Sequence, residues 1–191
     1  MTSILKADNI QDADGNNIIN ENSNTITIGA SGDTTNIIGT LQNDGAAVGG
    51  ANTPAFQVKK TSTQSISSAS FTKLTWDSED WDTDSAFASD KFTVPSGQAG
   101  KYYFQLTTEF SGIDDGEFVQ VLLYKNGSSE SGTTARWYSP GSNDDVRART
   151  NVILNLSAAD YVEAYVYQNE GGARDASGSE TFFRGFKLIG V

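Results

Sequence analysis

The chain has 191 residues, a formal net charge of -11, and neither cysteine nor histidine. This charge disfavours nucleic acids and anionic membrane surfaces as partners, because both are themselves negatively charged. Without cysteine or histidine there is no disulfide, no thiolate or imidazole zinc site and no serine–histidine nucleophile. The sequence also lacks an apolar run of about 18 residues, so no membrane insertion is expected.

The N-terminal region differs in composition from the rest of the chain. Residues 1–55 contain no Phe, Tyr or Trp, and all aromatic residues follow from Phe56 onward. Segments such as NTITIGASGDTTNIIGT place short isoleucine-bearing stretches between Gly, Ser and Asp, which predicts strands and turns. So few large side chains cannot bury a core within one chain. The region is therefore either a disordered polar arm or, as we favour, a narrow β-stalk shared by several intertwined chains.

The composition predicts three parts. Residues 1–42 form an attachment arm and β-stalk, residues 43–54 a linker rich in Gly and Asn, and residues 55–191 a β-rich head. The apolar residues predicted to anchor the arm in a larger body are Ile4, Leu5 and Ile10. The isoleucines predicted to join the chains of the stalk are Ile26, Ile28, Ile37 and Ile38.

Strand-forming segments follow one another in the head and are separated by turn compositions such as PSGQAG and NGSSESG. The predicted strands are AFQVKK, SFTKLTW, AFASDKFTV, KYYFQLTTEF, EFVQVLLYKN, TARWYS, VRARTNVILNL, YVEAYVYQ and FFRGFKLIGV. No helix-period segment of useful length appears between them. Roughly eight to ten strands over about 135 residues predict an all-β sandwich, jelly roll or barrel.

If the final segment, SETFFRGFKLIGV, forms a strand, it carries apolar residues on both faces. Period-two alternation divides it into Phe182, Phe186 and Leu188 on one face, and Phe183 and Ile189 on the other. Such a strand needs its own fold on one side and another subunit on the other. We therefore expect Phe183 and Ile189 to contact neighbouring subunits, the alternative being a strand buried within a monomeric sandwich.

The order of motifs over residues 55–191 resembles the C1q globular head, within the wider C1q/TNF-like family. The motifs are F-x-V-P (Phe92 to Pro95), G-K-Y-Y-F (Gly100 to Phe104), Y-K-N-G, D-Y-V-E and a closing F-x-G-F-K-L. This resemblance implies a ten-stranded jelly roll that assembles into homotrimers, with the last strand near the middle of a sheet facing the threefold axis. A shared fold does not by itself fix function.

Residues 1–50 resemble the leader of structural proteins from marine bacteriophages, over SILKADNIQDADGNNIINENSNTITIGASGDTTNIIGTLQNDGAAVGG. In those proteins similar leaders precede assorted C-terminal domains, which is the behaviour of a virion-attachment module. The resemblance implies that the N-terminal arm binds other virion proteins.

Two segments of the head carry candidate binding chemistry. The acidic stretch DSEDWDTDS offers oxygen ligands for calcium, although a solvated acidic loop is the common alternative, so no cofactor is expected and calcium stays open. Arg136, Trp137 and Tyr138 precede the loop SPGSNDD and are candidate host-contact residues, for a saccharide or a protein. Equally open is that Trp137 belongs to the core and Arg136 pairs with an acid.

These features favour a non-enzymatic, homotrimeric virion structural protein: a short fibre or spike tip whose head contacts a host-surface glycan or protein. Capsid decoration or a head fibre is a close alternative, followed by a free calcium-dependent lectin-like module and a carboxylate hydrolase. The first residues, MTSILKADNI, lack the pattern of a secretion signal. We therefore expect synthesis in the host bacterial cytoplasm and a final location on the particle surface.

Overall fold

The computed structural model describes residues 52–189 continuously. The shorter stretches described before them are residues 9–11, 13, 17–22, 25–28, 31–32, 34–38, 42–43 and 46–47. The chain divides into two compact units, Met1–Val48 and Gly49–Val191. The domain bounds stated above stay a prediction, and the proposed anchor residues Ile4 and Leu5 lie outside the described residues.

The first unit contains a small antiparallel sheet in the order β1 (Asn9–Gln11), β2 (Asn17–Asn22), β3 (Thr25–Ile28). Its backbone register places Ile10 opposite Ile19, and Ile19 opposite Ile28. A separate pair joins β4 (Gln42–Asn43) to β5 (Ala46–Ala47). The strand-and-turn prediction for this region is confirmed where the structure describes it, whereas the intertwining of chains stays a prediction.

Residues 52–189 form two seven-stranded sheets with antiparallel pairing and no helix. Sheet I has the order β7-β18-β12-β19-β6-β9 with β16 beside β12, and sheet II has β10-β11-β17-β13-β14 with β15 beside β13 and β8 beside β17. The strands are β6 (Ala55–Lys59), β7 (Gln64–Ile66), β8 (Thr72–Lys73), β9 (Ser78–Asp82), β10 (Phe87–Ala88), β11 (Lys91–Thr93), β12 (Gly100–Ile113), β13 (Phe118–Lys125), β14 (Ser128–Ser129), β15 (Ala135–Tyr138), β16 (Asp144–Leu156), β17 (Tyr161–Gln168), β18 (Arg174–Ala176) and β19 (Phe182–Lys187). The predicted all-β fold is confirmed. The described part of the chain holds no helix that could cross a membrane.

The core lies between the two sheets and is built by period-two alternation. In β13, Val119, Val121 and Leu123 are fully buried, while the residues between them face away from the core. The largest contacts come from rings around Phe56, which lies 5.0 Å from Phe92 and 5.0 Å from Phe183, centroid to centroid. Phe56 and Phe183 belong to sheet I and Phe92 belongs to sheet II, so this ring cluster packs the two sheets together. Burial of one such side chain stabilises the fold by about 2 kcal/mol.

Two of the sequence motifs meet at one end of sheet II. Asn126 of Y-K-N-G, at a φ of 52°, donates from Nδ2 to the Asp160 carboxylate of D-Y-V-E at 2.7 Å. The Asn126 side-chain oxygen accepts from the backbone N–H of Tyr161 at 2.9 Å. Asp160 also accepts from the Ser157 N–H at 2.9 Å and lies 3.0 Å from Lys125 Nζ. These bonds, the Asn126 amide first, lower the pKa of Asp160 to about 2.

Four short strands lie outside the segments predicted as strands. Strand β9 occupies part of the acidic stretch, β14 lies within the predicted turn NGSSESG, β18 lies within NEGGARDASGS, and β7 follows AFQVKK. Strands β9 and β7 form the two ends of the sheet I order. Edge strands tolerate charged and polar residues because only one side is paired, which explains why strand propensity misses them.

The closing strand β19 lies between β12 and β6, so its predicted place near the middle of a sheet is confirmed. The predicted role of Phe183 at a subunit contact is wrong, because its side chain is fully buried within the core of its own chain. The outward positions of β19 are instead Phe182, Arg184 and Phe186. Gly185 pairs with Phe104 across the sheet, and its missing side chain makes room for the Phe104 ring.

We expect the substitution Gly185→Ala to destabilise the head by about 1–3 kcal/mol, as overpacking of a core does. The added Cβ would lie 2.6 Å from Phe104 Cδ1 and 2.8 Å from the Tyr103 carbonyl oxygen. Denaturant unfolding measures the change. Gly172→Ala is the control, because its Cβ meets only the Arg174 Nη1 at 3.7 Å. Equal stability of the two variants would contradict this packing.

We expect Asp160→Asn to lower stability at neutral pH by about 1 kcal/mol, after allowance for solvent screening. The lowered pKa means that the wild-type carboxylate stabilises the fold above its ordinary pKa of 3.8. That stabilisation is lost as the pH falls toward 2. The melting temperatures of the wild type and the variant should therefore differ at neutral pH and become equal near pH 2. The control Asp115→Asn, at an exposed site, should have the melting temperature of the wild type at every pH.

Candidate interaction surfaces

The outward face of sheet I carries an apolar centre, which we call the sheet I surface. In β12, Tyr103 and Gln105 alternate with the buried Tyr102, Phe104 and Leu106, and so face away from the core. The residues of this surface are Gln57, Trp81, Tyr103, Gln105, Ile153, Arg184 and Phe186. They come from five neighbouring strands, and no other residue of the stretch 52–189 covers them.

The exposed apolar residues of the sheet I surface lie in adjacent register positions. Tyr103 lies opposite Phe186 on one side and opposite Ile153 on the other. The Tyr103 and Phe186 rings are 5.3 Å apart, centroid to centroid. Ile153 is 59% exposed and Trp81 is 43% exposed. A depression of about 310 Å³ lies between Trp81 and the two rings.

The polar groups of the sheet I surface already bind one another. Arg184 donates from Nε to Gln105 Oε1 at 2.7 Å and from Nη1 to Gln57 Oε1 at 3.4 Å. Its guanidinium carbon lies 4.9 Å from the centroid of the Phe182 ring. Among the described residues, Arg184 has no acidic partner. These bonds hold the guanidinium against the sheet, and its remaining N–H donors are available to groups outside the described residues.

Charged residues surround this apolar centre. Arg147 binds Glu109 at 2.7 Å and Glu180 at 2.9 Å on one strand pair, and Lys59 binds Asp80 near the β9 edge. Exposed pairs of this kind add little to stability. An apolar centre with a charged rim is the usual anatomy of a protein–protein interface.

The outward face of sheet II carries a band of aromatic rings, which we call the sheet II band. Tyr124 stacks on Tyr165 at 3.8 Å, and Phe118 stacks on Tyr167 at 5.6 Å. The band continues at both ends, since Phe71 lies 4.9 Å from Tyr167 and Tyr138 lies 5.3 Å from Phe118. Every ring comes from sheet II or the segment leading into β8.

The predicted host-contact residues lie in strand β15, within the predicted strand TARWYS, and all three are exposed. Trp137 is 37% exposed and Tyr138 is 59% exposed, so Trp137 is not part of the core. Arg136 lies 4.0 Å over the Phe118 ring and donates from Nε and Nη2 to Gln120 Oε1 at 3.1 and 2.8 Å. Within residues 52–189 it has no acidic partner. Their role in host contact stays a prediction.

The carboxylates of the acidic stretch bind neighbouring groups of the protein. Asp77 accepts from the Ser62 hydroxyl and from the Thr61 and Ser62 N–H groups, which together lower its pKa to about 2. Asp82 accepts from the N–H groups of Ala86 at 3.0 Å and Phe87 at 2.8 Å. In the part of the chain that the structure describes, no three acidic residues converge as metal ligands. These contacts give the acidic stretch a structural role.

The remaining predicted interface residues are placed as follows. Ile37 and Ile38 lie in the stretch 34–38 and are 48% and 95% exposed. Ile26 and Ile28 lie in β3, and Ile189, just beyond β19, is 46% exposed. Their part in trimer contacts stays a prediction, as does the anchoring role of Ile10 in β1.

The sequence reasoning missed Trp81, Tyr103, Ile153 and Phe186 as members of one surface. The available signal was the alternation in KYYFQLTTEF, where Tyr103 and Gln105 share one parity. Trp81 gave no such signal, because the acidic residues around it indicate a loop. Only the register of β12 with β16 and β19 brings these residues together.

Three solved structures resemble the chain at low sequence identity. The globular domain of the zebrafish complement 1qA protein matches with a TM-score of 0.52 and 18% identity, over 71% of this chain and 98% of that one. The Eiger TNF from S. frugiperda matches with a TM-score of 0.54 and 15% identity, over 72% and 93%. Murine APRIL matches with a TM-score of 0.53 and 15% identity, over 70% and 98%.

No protein-family model and no curated protein sequence matches the chain. The structural likenesses therefore show the fold, and the predicted C1q-like jelly roll of the head is confirmed. They span nearly the whole length of each matched structure, so the head is a complete jelly roll of this type.

Proposed function

We propose that three copies of this chain form a non-enzymatic structural protein of a bacteriophage particle. The N-terminal unit attaches to the virion, and the jelly-roll head is presented outward as a short fibre or spike tip that contacts the host surface. The observation that carries the proposal is the uncovered apolar centre of the sheet I surface, which requires a partner of the same kind.

The occupant of the sheet I surface is a second copy of this chain. Aromatic rings and Ile153 supply an apolar centre, and the Arg184 guanidinium beside it is hydrogen-bonded to two glutamines. The surface of one copy offers aromatic rings, and the surface of the next offers a depression of about 310 Å³ to receive them. A partner of another sequence is therefore not required. Closed rotational symmetry lets every copy bury the same surface.

The virion role is supported by the N-terminal region. Residues 1–50 resemble the leader of marine bacteriophage structural proteins, and their lack of aromatic residues favours assembly with partner chains over independent folding. Attachment of several weakly binding heads to one particle gains from avidity. Placement on the capsid shell as a decoration or head fibre is the alternative location for the same trimer.

We expect the full chain in solution to have a mass near three times 20.4 kDa by light scattering. Ile153→Glu should give a smaller species, because burying an unpaired carboxylate costs several kcal/mol, or about a hundredfold or more in affinity. Tyr138→Glu is the matched control, since both side chains are 59% exposed and Tyr138 lies on the other sheet. A folded wild-type monomer at micromolar concentration would overturn the trimer.

We expect mass spectrometry of purified phage particles from the source to detect this chain as a stoichiometric component. Antibodies against the head, imaged on intact particles, should label the tail or the capsid surface, and the labelled site decides between the two locations. A particle preparation that lacks the chain would overturn the virion role while leaving the trimer intact.

A further inference from the structure

We infer that the sheet II band borders a binding groove for a neutral hexopyranose unit of a saccharide. The groove has a volume of about 460 Å³ and lies between the band and the segment that joins β14 to β15. This volume is within the range of about 300–1,000 Å³ found for ligand sites. The inference rests on the proposed function only for the source of the saccharide, which would be the host surface.

The floor of the groove is formed by residues that face away from the core and yet are nearly buried. Gln120 is 5% exposed and Leu122 is 3% exposed, although both alternate with the core residues of β13. Tyr124 continues this row, and its ring stacks on Tyr165 at an interplanar angle of 16°. Phe71, 48% exposed, contributes a second ring to the lining. The floor therefore offers flat apolar faces of the size of a sugar ring.

One buried polar group of the floor has an unused donor. The side-chain oxygen of Gln120 accepts both hydrogen bonds from Arg136, at 2.8 and 3.1 Å. Its Nε2 donates to none of the described residues, although the residue as a whole is only 5% exposed. A ligand oxygen at this position would therefore find a donor that no other described group uses.

The rim adds hydroxyl and carboxylate groups. Thr134 is exposed and Glu130 is half-buried, and neither side chain makes a hydrogen bond with the described residues. Among the described lining residues, Glu130 is the charged one. A carboxylate on a chain of net charge -11 repels acidic sugars. Apolar faces, an amide donor and oxygen acceptors together match a neutral pyranose, which has an apolar C–H face and a ring of hydroxyl groups.

The pairing of β13 argues against an extended peptide as the ligand. Strand β13 is hydrogen-bonded to β17 along one edge and to β14 and β15 along the other. It therefore offers no free edge for strand addition by a peptide. The groove therefore does not recognise its ligand by strand addition to β13, which suits a saccharide.

The test is a titration of the full chain with the methyl glycosides of glucose, galactose and N-acetylglucosamine. NMR spectra of the methyl and aromatic groups report binding at each step. The methyl glycoside of glucuronic acid is the anionic comparator. We expect at least one neutral glycoside to shift Leu122 and Tyr124 resonances, with weak affinity as befits a one-ring ligand, and the glucuronide to bind less well.

Variants separate a binding role of the groove from a structural one. Tyr124→Ala should weaken binding at least tenfold, and Tyr124→Phe should retain it because the ring remains. Asp115→Asn, at an exposed residue outside both the groove and the sheet II band, should leave binding unchanged. No shift from any neutral glycoside, shifts confined to other surfaces, or unchanged binding by Tyr124→Ala would each overturn the inference. Light scattering on the same samples reports the trimer independently, so failure of the groove is distinguishable from failure of the proposed function.

Discussion

The constraint on which this structure depends is that its central strands carry apolar side chains on both faces. In β13 the residues between Val119, Val121 and Leu123 are themselves large, and in β19 the buried Phe183 is flanked by Phe182 and Phe186. A two-layer fold covers only the inner face of each sheet. On the outer face of each sheet, neighbouring rings pack against one another, as Tyr103 and Phe186 do on sheet I and Tyr124 and Tyr165 do on sheet II. Both outer faces still leave apolar side chains exposed, among them Ile153 on sheet I and Tyr138 on sheet II.

The strand content and the order of the head were predictable, because β-branched and aromatic residues alternate with clear turn compositions over residues 55–191. The short strands β9 and β18 were not predictable, since their residues are charged or small and their pairing comes from neighbours distant in sequence. The parity of the closing strand was also misjudged. Both parities of FFRGF are apolar, so alternation alone cannot choose between them. Arg184 distinguishes the two faces of this strand. It alternates in step with Phe182 and Phe186, and a charged residue indicates the face that points away from the core.

The candidate surfaces were less accessible to sequence reasoning than the fold. Arg136 and Tyr138 were found because an arginine beside aromatic residues is conspicuous in one short segment. The sheet I surface combines residues from five strands, and the groove on sheet II combines β13 with the segments around Phe71 and Thr134. Such combinations depend on strand register, which cannot be read from a single sequence before the strand pairing is known. The two surfaces lie on opposite sheets, so the proposed self-association and the proposed ligand contact use different residues.

The bonding of Arg184 to neutral amides has a consequence for how the proposed association of heads would depend on ionic strength. Its partners are glutamines rather than carboxylates, so dissolved salt does not screen away attractive ion pairs at the centre of the sheet I surface. The repulsion between copies, each of net charge -11, is screened, as the Debye length falls from about 10 Å at 0.1 M to about 3 Å at 1 M salt. The proposed association through this surface would therefore be stronger at high ionic strength than at low ionic strength.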